Sequence, residues 1–238
     1  MNAAQRQELL EQARAHFAAD MLLKGTYGKK EAGEFRGCSV GCHLHHIKPS
    51  WGIAKIDDCD DKHRLVAKHY GYPEWLALLQ DTIFEGVPNG ESAQWHVQLA
   101  EALATLPDDY DWQLALHRVH VALLRVAYKT AGTAQAVVWQ VIDLHERAGR
   151  GEVVSAELWS AAESAAESAA ESAAESAAWS AAWSAAESAA WSAARSAARS
   201  AAWSAARSAA RSAAWSAARS AAYQEIRDGV LGALSERN

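Results

Sequence analysis

SAAESAAESAAESAAESAAWSAAWSAAESAAWSAARSAARSAAWSAARSAARSAAWSAARSAAY runs from Ser160 to Tyr223. It is one unit, Ser-Ala-Ala-X, repeated sixteen times without interruption. X is Glu at 163, 167, 171, 175 and 187, and Arg at 195, 199, 207, 211 and 219. It is Trp at 179, 183, 191, 203 and 215, and Tyr at 223. Every Glu precedes every Arg. Ala is the best helix former, Ser costs only a few tenths of a kcal/mol more, and neither Gly nor Pro interrupts the run. Ala is depleted in strands and the run has no β-branched residue, so the period of four reads as helix and not as sheet. One unbroken helix of this length is about 96 Å long at about 1.5 Å per residue.

A period of four overshoots the helical 3.6. Each unit advances X by about 40°, so the large side chains wind slowly round the helix in a right-handed sense. A period longer than 3.6 favours a right-handed supercoil. All other positions are Ser or Ala, which lets a second backbone come close.

The charge order names the partner. Pairing residues whose numbers sum to 382 reverses the run about Trp191. Glu163 then meets Arg219, Glu171 meets Arg211, Glu175 meets Arg207, and Glu187 meets Arg195. Trp179 meets Trp203, and Trp191 meets itself. No pair joins like charges. This is the self-complementarity that a two-fold, isologous contact requires. A parallel pair in register stacks Glu on Glu and Arg on Arg. Five Trp on a lone solvated helix would have no physical reason. The run predicts an antiparallel, right-handed coiled coil; the alternative is repeat expansion by copying of neighbouring units, which clusters like residues without selection.

The rest of the chain must supply the apolar core, because the repeat holds no Leu, Ile, Val or Phe. The chain has 238 residues with a net charge of −6. Its pI is near 5.9, which argues against a protein built to coat nucleic acid but leaves a local basic site open. The opening MNAAQRQELLEQARAHF is a polar amphipathic helix, unlike a signal peptide. No run reaches the roughly 20 apolar residues of a membrane span. Three cysteines, an odd count, give no disulfide framework. The expectation is a cytoplasmic protein with reduced thiols and no membrane partner.

Residues 3–24 put Leu9, Leu10, Ala13, Phe17 and Met21 on one helical face. Residues 25–61 show no sustained period and read as an irregular segment rich in Gly, Cys and His. Helical signals resume at Lys62–His69, which Gly71 closes. Pro73 opens a helix carrying Trp75, Leu76, Leu79, Ile83 and Phe84. Val87-Pro88-Asn89-Gly90 is a turn, followed by a helix with Trp95, Leu99 and Leu103. Tyr110–Lys129 and Ala134–Ala148 are two more helices, separated by Gly132-Thr133. The fold class is all-α. The expected domains are a helical domain over 1–151 and a repeat helix over 155–238.

Two constellations in residues 37–63 carry chemistry. Cys38-x3-Cys42 and Cys59-x3-His63 are ligand pairs at equal spacing, a set able to hold zinc tetrahedrally and order a loop without a core. The alternative is small buried cysteines in a Gly turn, with no cofactor. His45-His46-Ile47-Lys48-Pro49, then Gly52, resembles the start of HNH-type nucleases. That resemblance implies His45 as general base, with His46 and His63 holding a divalent ion. The family's central Asn is missing, and Asp57 and Asp58 stand in that stretch.

Beyond this, Gly37-Cys38-Ser39-Val40-Gly41-Cys42 and Ile83-Phe84-Glu85-Gly86-Val87-Pro88, with the Ala-rich tail, resemble an uncharacterised family found in bacteriophages and prophages. The resemblance spans nearly the whole chain and implies a phage or bacterial setting. It implies no activity. The expected function is non-enzymatic: a self-associating structural and interaction protein whose repeat makes antiparallel oligomers. The alternative is a metal-dependent nuclease or a zinc-stabilised nucleic-acid-binding module centred on 37–63.

Overall fold

Asn2 starts the first helix by a capping box. Its side chain accepts from the Gln5 N–H at 2.9 Å, and the Gln5 side chain accepts from the Asn2 N–H at 2.9 Å. The computed structural model describes residues 1–31, 33–52, 56, 61–162, 164, 165, 168 and 218–236. It is mostly helical, as the sequence predicts. Helix α1 (Ala3–Ala18) buries Leu9, Ala13 and His16, one stripe at spacings of four and three. Asp20 ends its exit turn at φ +49°, a left-handed conformation that Asp tolerates better than most residues.

The described part of residues 25–61 holds more regular structure than its composition suggests. Strands β1 (Lys29–Glu31) and β2 (Glu34–Arg36) form a short antiparallel hairpin, with Lys30 opposite Phe35. Helix α2 (Ser39–Ile47) follows at once and is buried over most of its length. The two Gly of the Gly37–Cys42 motif explain the depth. A Cβ on Gly37 would lie 2.6 Å from the Tyr27 carbonyl oxygen. The hydrogen bonds Leu23 N–H to Gly37 O (2.7 Å) and Cys38 N–H to Thr26 O (2.7 Å) seat the motif on the preceding segment. The glycines are there for close backbone approach, not for loop freedom. The hairpin carries no signal in the sequence, because three-residue strands lie below any detectable alternation.

Helices α3 (Lys62–Tyr70), α4 (Glu74–Gly86) and α5 (Asn89–Ala104) match the sequence reading closely. Gly71 closes α3 at φ +76°. Helix α5 begins directly after Pro88, so Asn89 and Gly90 form its first turn. Trp95 on α5 is fully buried and its Nε1 donates to the Gln80 carbonyl of α4 at 2.9 Å. Helix α6 (Trp112–Tyr128) and helix α7 (Gln135–Gly149) complete the numbered elements, with a 3-10 turn (Gly132–Ala134) between them.

The compact units divide the chain differently from the expected 1–151 and 155–238. One unit is Met1–Val119 together with Ser220–Asn238; the other is His120–Arg219. The reason lies past the repeat, where the chain carries its own apolar stripe. Val230 and Leu234 are fully buried in the first unit, on a helix over 218–235. The Tyr110 hydroxyl donates to the Leu234 carbonyl at 3.1 Å. Arg227 pairs with Glu91 at 2.5 Å. Tyr223, the last X residue, fills the space beside Gly86, where a Cβ would meet its ring at 2.2 Å. In the second unit, Arg125 on α6 pairs with Glu146 on α7 at 2.7 Å, and the rings of His120 and His145 lie 4.7 Å apart. Further along α6, the ring of Tyr128 lies 5.9 Å from that of Trp139, so α7 numbers fall as α6 numbers rise and the two helices run antiparallel there.

Candidate functional site

Three helices of the first unit each place one histidine where their stripes call for an apolar residue. His16 ends the Leu9–Ala13 stripe of α1. His43 lies between Val40 and Ile47 on α2. His96 lies between Ser92 and Leu99 on α5. Their exposures are 4%, 0% and 1%. Ring centroids stand 5.4 Å (His16–His43), 5.5 Å (His16–His96) and 4.7 Å (His43–His96) apart. One ring nitrogen from each lies within 4.8 Å of the others. The closest pair, His16 Nδ1 and His96 Nε2, is 3.3 Å apart.

A directed chain of polar groups holds His96. The Tyr72 hydroxyl donates to Gln80 Oε1 at 3.1 Å, and Gln80 Nε2 donates to Ser39 Oγ at 2.5 Å. Ser39 Oγ lies 2.7 Å from His96 Nδ1. With Gln80 as donor, the Ser39 proton is left for His96 Nδ1. The proton of neutral His96 then sits on Nε2, facing His16 Nδ1. His43 has no such arrangement: neither ring nitrogen has a hydrogen-bond partner. The buried Tyr70 hydroxyl, whose ring meets His43 edge-on at 5.0 Å, also has none. Each unsatisfied buried group costs about 1–3 kcal/mol.

Burial keeps the three imidazoles neutral. It pushes His16 down to about 4, with the nearby His46 and His45 adding repulsion. It pushes His96 down to about 3, helped by His16. His43 is held well below its ordinary value by burial first and by His96 next. Neutral imidazole is the ligand form for a transition metal.

A second gathering lies at the start of α2. Cys38 Sγ, Asp81 and Glu85 share a 4.8 Å neighbourhood. Its acids already have partners: Asp81 Oδ2 is 3.2 Å from His63 Nε2, and Glu85 accepts the Gly25 N–H at 3.0 Å.

The residues singled out by sequence fall as follows. Cys38 caps α2, its sulfur accepting the Gly41 N–H at 3.4 Å. Cys42 is buried one turn on and donates to the Gly37 carbonyl at 3.4 Å. Cys59 lies outside the described residues. His63 faces Asp81. His45 stacks on Phe35 with centroids 3.9 Å apart, and His46 Nε2 lies 3.5 Å from Glu8 Oε1. His45, His46 and His63 thus have three separate partners, and no metal-sized group among the described residues joins them. Of the interface residues, Glu163, Glu171, Glu175, Trp179, Glu187, Trp191, Arg195, Trp203, Arg207 and Arg211 lie outside the described residues. Arg219 is helical and exposed.

Sequence reading missed His16, His43 and His96. The available signal was a histidine standing in an apolar stripe on each of three helices. Among the described residues, no helix is long and apolar enough to cross a membrane. No family model, no curated protein and no solved structure matches the chain.

Proposed function

We propose that this is a non-enzymatic, self-associating structural and interaction protein of phage or bacterial origin. Its repeat pairs antiparallel about Trp191 in a right-handed coiled coil. The supporting observation is the charge order of the repeat: every Glu precedes every Arg, and no like charges meet when the run is reversed about Trp191.

Reversed about Trp191, the repeat sets Glu-rich units against Arg-rich ones and Trp179 against Trp203, so two copies associate through their repeats in an isologous contact. The HNH-like alternative gains no support, since His45, His46 and His63 do not share a point.

Light scattering of the full chain at micromolar concentration tests this, together with a Glu171→Cys/Arg211→Cys variant oxidised and run without reductant. The expected result is an oligomeric mass and a cross-link between copies. A monomeric mass with the cross-link inside one chain overturns self-association. Absence of the cross-link overturns antiparallel pairing.

A further inference from the structure

We propose that His16, His43 and His96 bind one divalent transition-metal ion of the zinc class inside the helical head. Nothing in the repeat bears on this site. The geometry has two independent parts. His16 Nδ1 and His96 Nε2 stand 3.3 Å apart. That equals the edge of a tetrahedron whose metal–nitrogen bonds are about 2.0–2.1 Å, roughly 3.3–3.4 Å. Separately, His43 is fully buried and both its ring nitrogens lack a partner. Buried polar atoms in folded proteins are nearly always paired, so an orphaned imidazole beside two others points to a missing ligand.

The surroundings fit the same ion. With metal on His96 Nε2, its proton moves to Nδ1 and is donated to Ser39 Oγ, 2.7 Å away. Ser39 has two lone pairs, so it accepts from both His96 and Gln80. This is the outer-shell bond that fixes tautomer and ring orientation in metal-bound histidines. Three neutral nitrogens suit zinc, cobalt or nickel and give magnesium or calcium no oxygen to bind. The fourth position takes water. All three histidines are buried, so the ion is structural: it ties α1, α2 and α5 together and enters as the chain folds.

The test uses untagged full-length protein, unfolded with chelator and refolded with Co²⁺ or Zn²⁺. One ion per chain is expected, with the visible bands of tetrahedral Co²⁺ and no sulfur-to-cobalt charge-transfer band. The melting temperature should rise with added metal. Ser39→Ala should weaken binding about 10–100-fold, and His43→Met should abolish stoichiometric binding. A Cys38→Ser/Cys42→Ser variant should keep the ion. No bound metal and no rise in melting temperature overturns the proposal. So does a sulfur band, or an ion kept by His43→Met and lost by Cys38→Ser/Cys42→Ser.

Discussion

Gly41 of α2 lies so close to Tyr27 that a Cβ on it would stand 1.8 Å from the Tyr27 carbonyl oxygen. The obstruction is backbone, so no rotamer change relieves it. Gly41→Ala must push α2 off the Met21–Tyr27 segment. Overpacking costs about 1–3 kcal/mol where side chains adjust, and this substitution should cost at least the upper figure. Gly90 in the first turn of α5 has open space around it, and Gly90→Ala should be neutral or slightly stabilising. Urea midpoints of the two variants check this. Equal midpoints would refute the close-approach reading.

The C-terminal residues 218–235 belong to the head. Leu234 is fully buried, and Leu234→Ala should cost about 2–5 kcal/mol. Arg227→Ala removes a charged bond to Glu91 and should cost about 1.5–3 kcal/mol. Hydrogen exchange should show both changes as faster exchange in Trp112–Arg118 as well as at the C-terminus. Faster exchange at the C-terminus alone would mean that the helix merely rests on the surface.

Both described cysteines should be unreactive in the folded protein. Burial pushes the Cys42 thiol up to about 12, and burial with the nearby Asp81 carboxylate pushes Cys38 higher still. A raised thiol pKa lowers the thiolate fraction at any given pH. At pH 8 alkylation of Cys42 should be roughly a thousandfold slower than that of an ordinary thiol. Unfolding should restore the ordinary rate. Peptide mapping after timed alkylation measures it, and rapid native labelling of Cys42 would contradict the burial described.

His43 offers a sign test for stability. In chelator, His43→Met replaces two unsatisfied nitrogens by an apolar side chain of similar size. Stability should then hold or rise by about 1 kcal/mol. In added Zn²⁺ the same variant should lose the metal-induced rise in melting temperature. A large destabilisation in chelator would show that His43 has a polar partner in the apo fold.

Local pattern made the helices legible. Gly71, Pro73, Pro88 and Gly132 sit at element ends because each acts on its own backbone, and a backbone effect needs no tertiary context. The stripes Leu9–Ala13 and Trp95–Leu99 were visible for the same reason. The hairpin at Lys29–Arg36 was not, since three-residue strands give too few alternations to register. The Gly37–Cys42 motif misled: two glycines four apart look like a loop, yet they serve a buried helix pressed against another backbone.

By itself, the sequence determined that this protein is helical and that its repeat is self-complementary in charge about Trp191. Both follow from periodicity along the chain. Only the tertiary structure decided that residues 220–236 return to the head, and that His16, His43 and His96 meet. Those three stand as many as 80 residues apart, and the meeting depends on how α1, α2 and α5 pack. Spacing in sequence carries no information about distances set by packing between helices. For this reason the ligand set read from Cys38, Cys42, Cys59 and His63 includes none of the three core histidines.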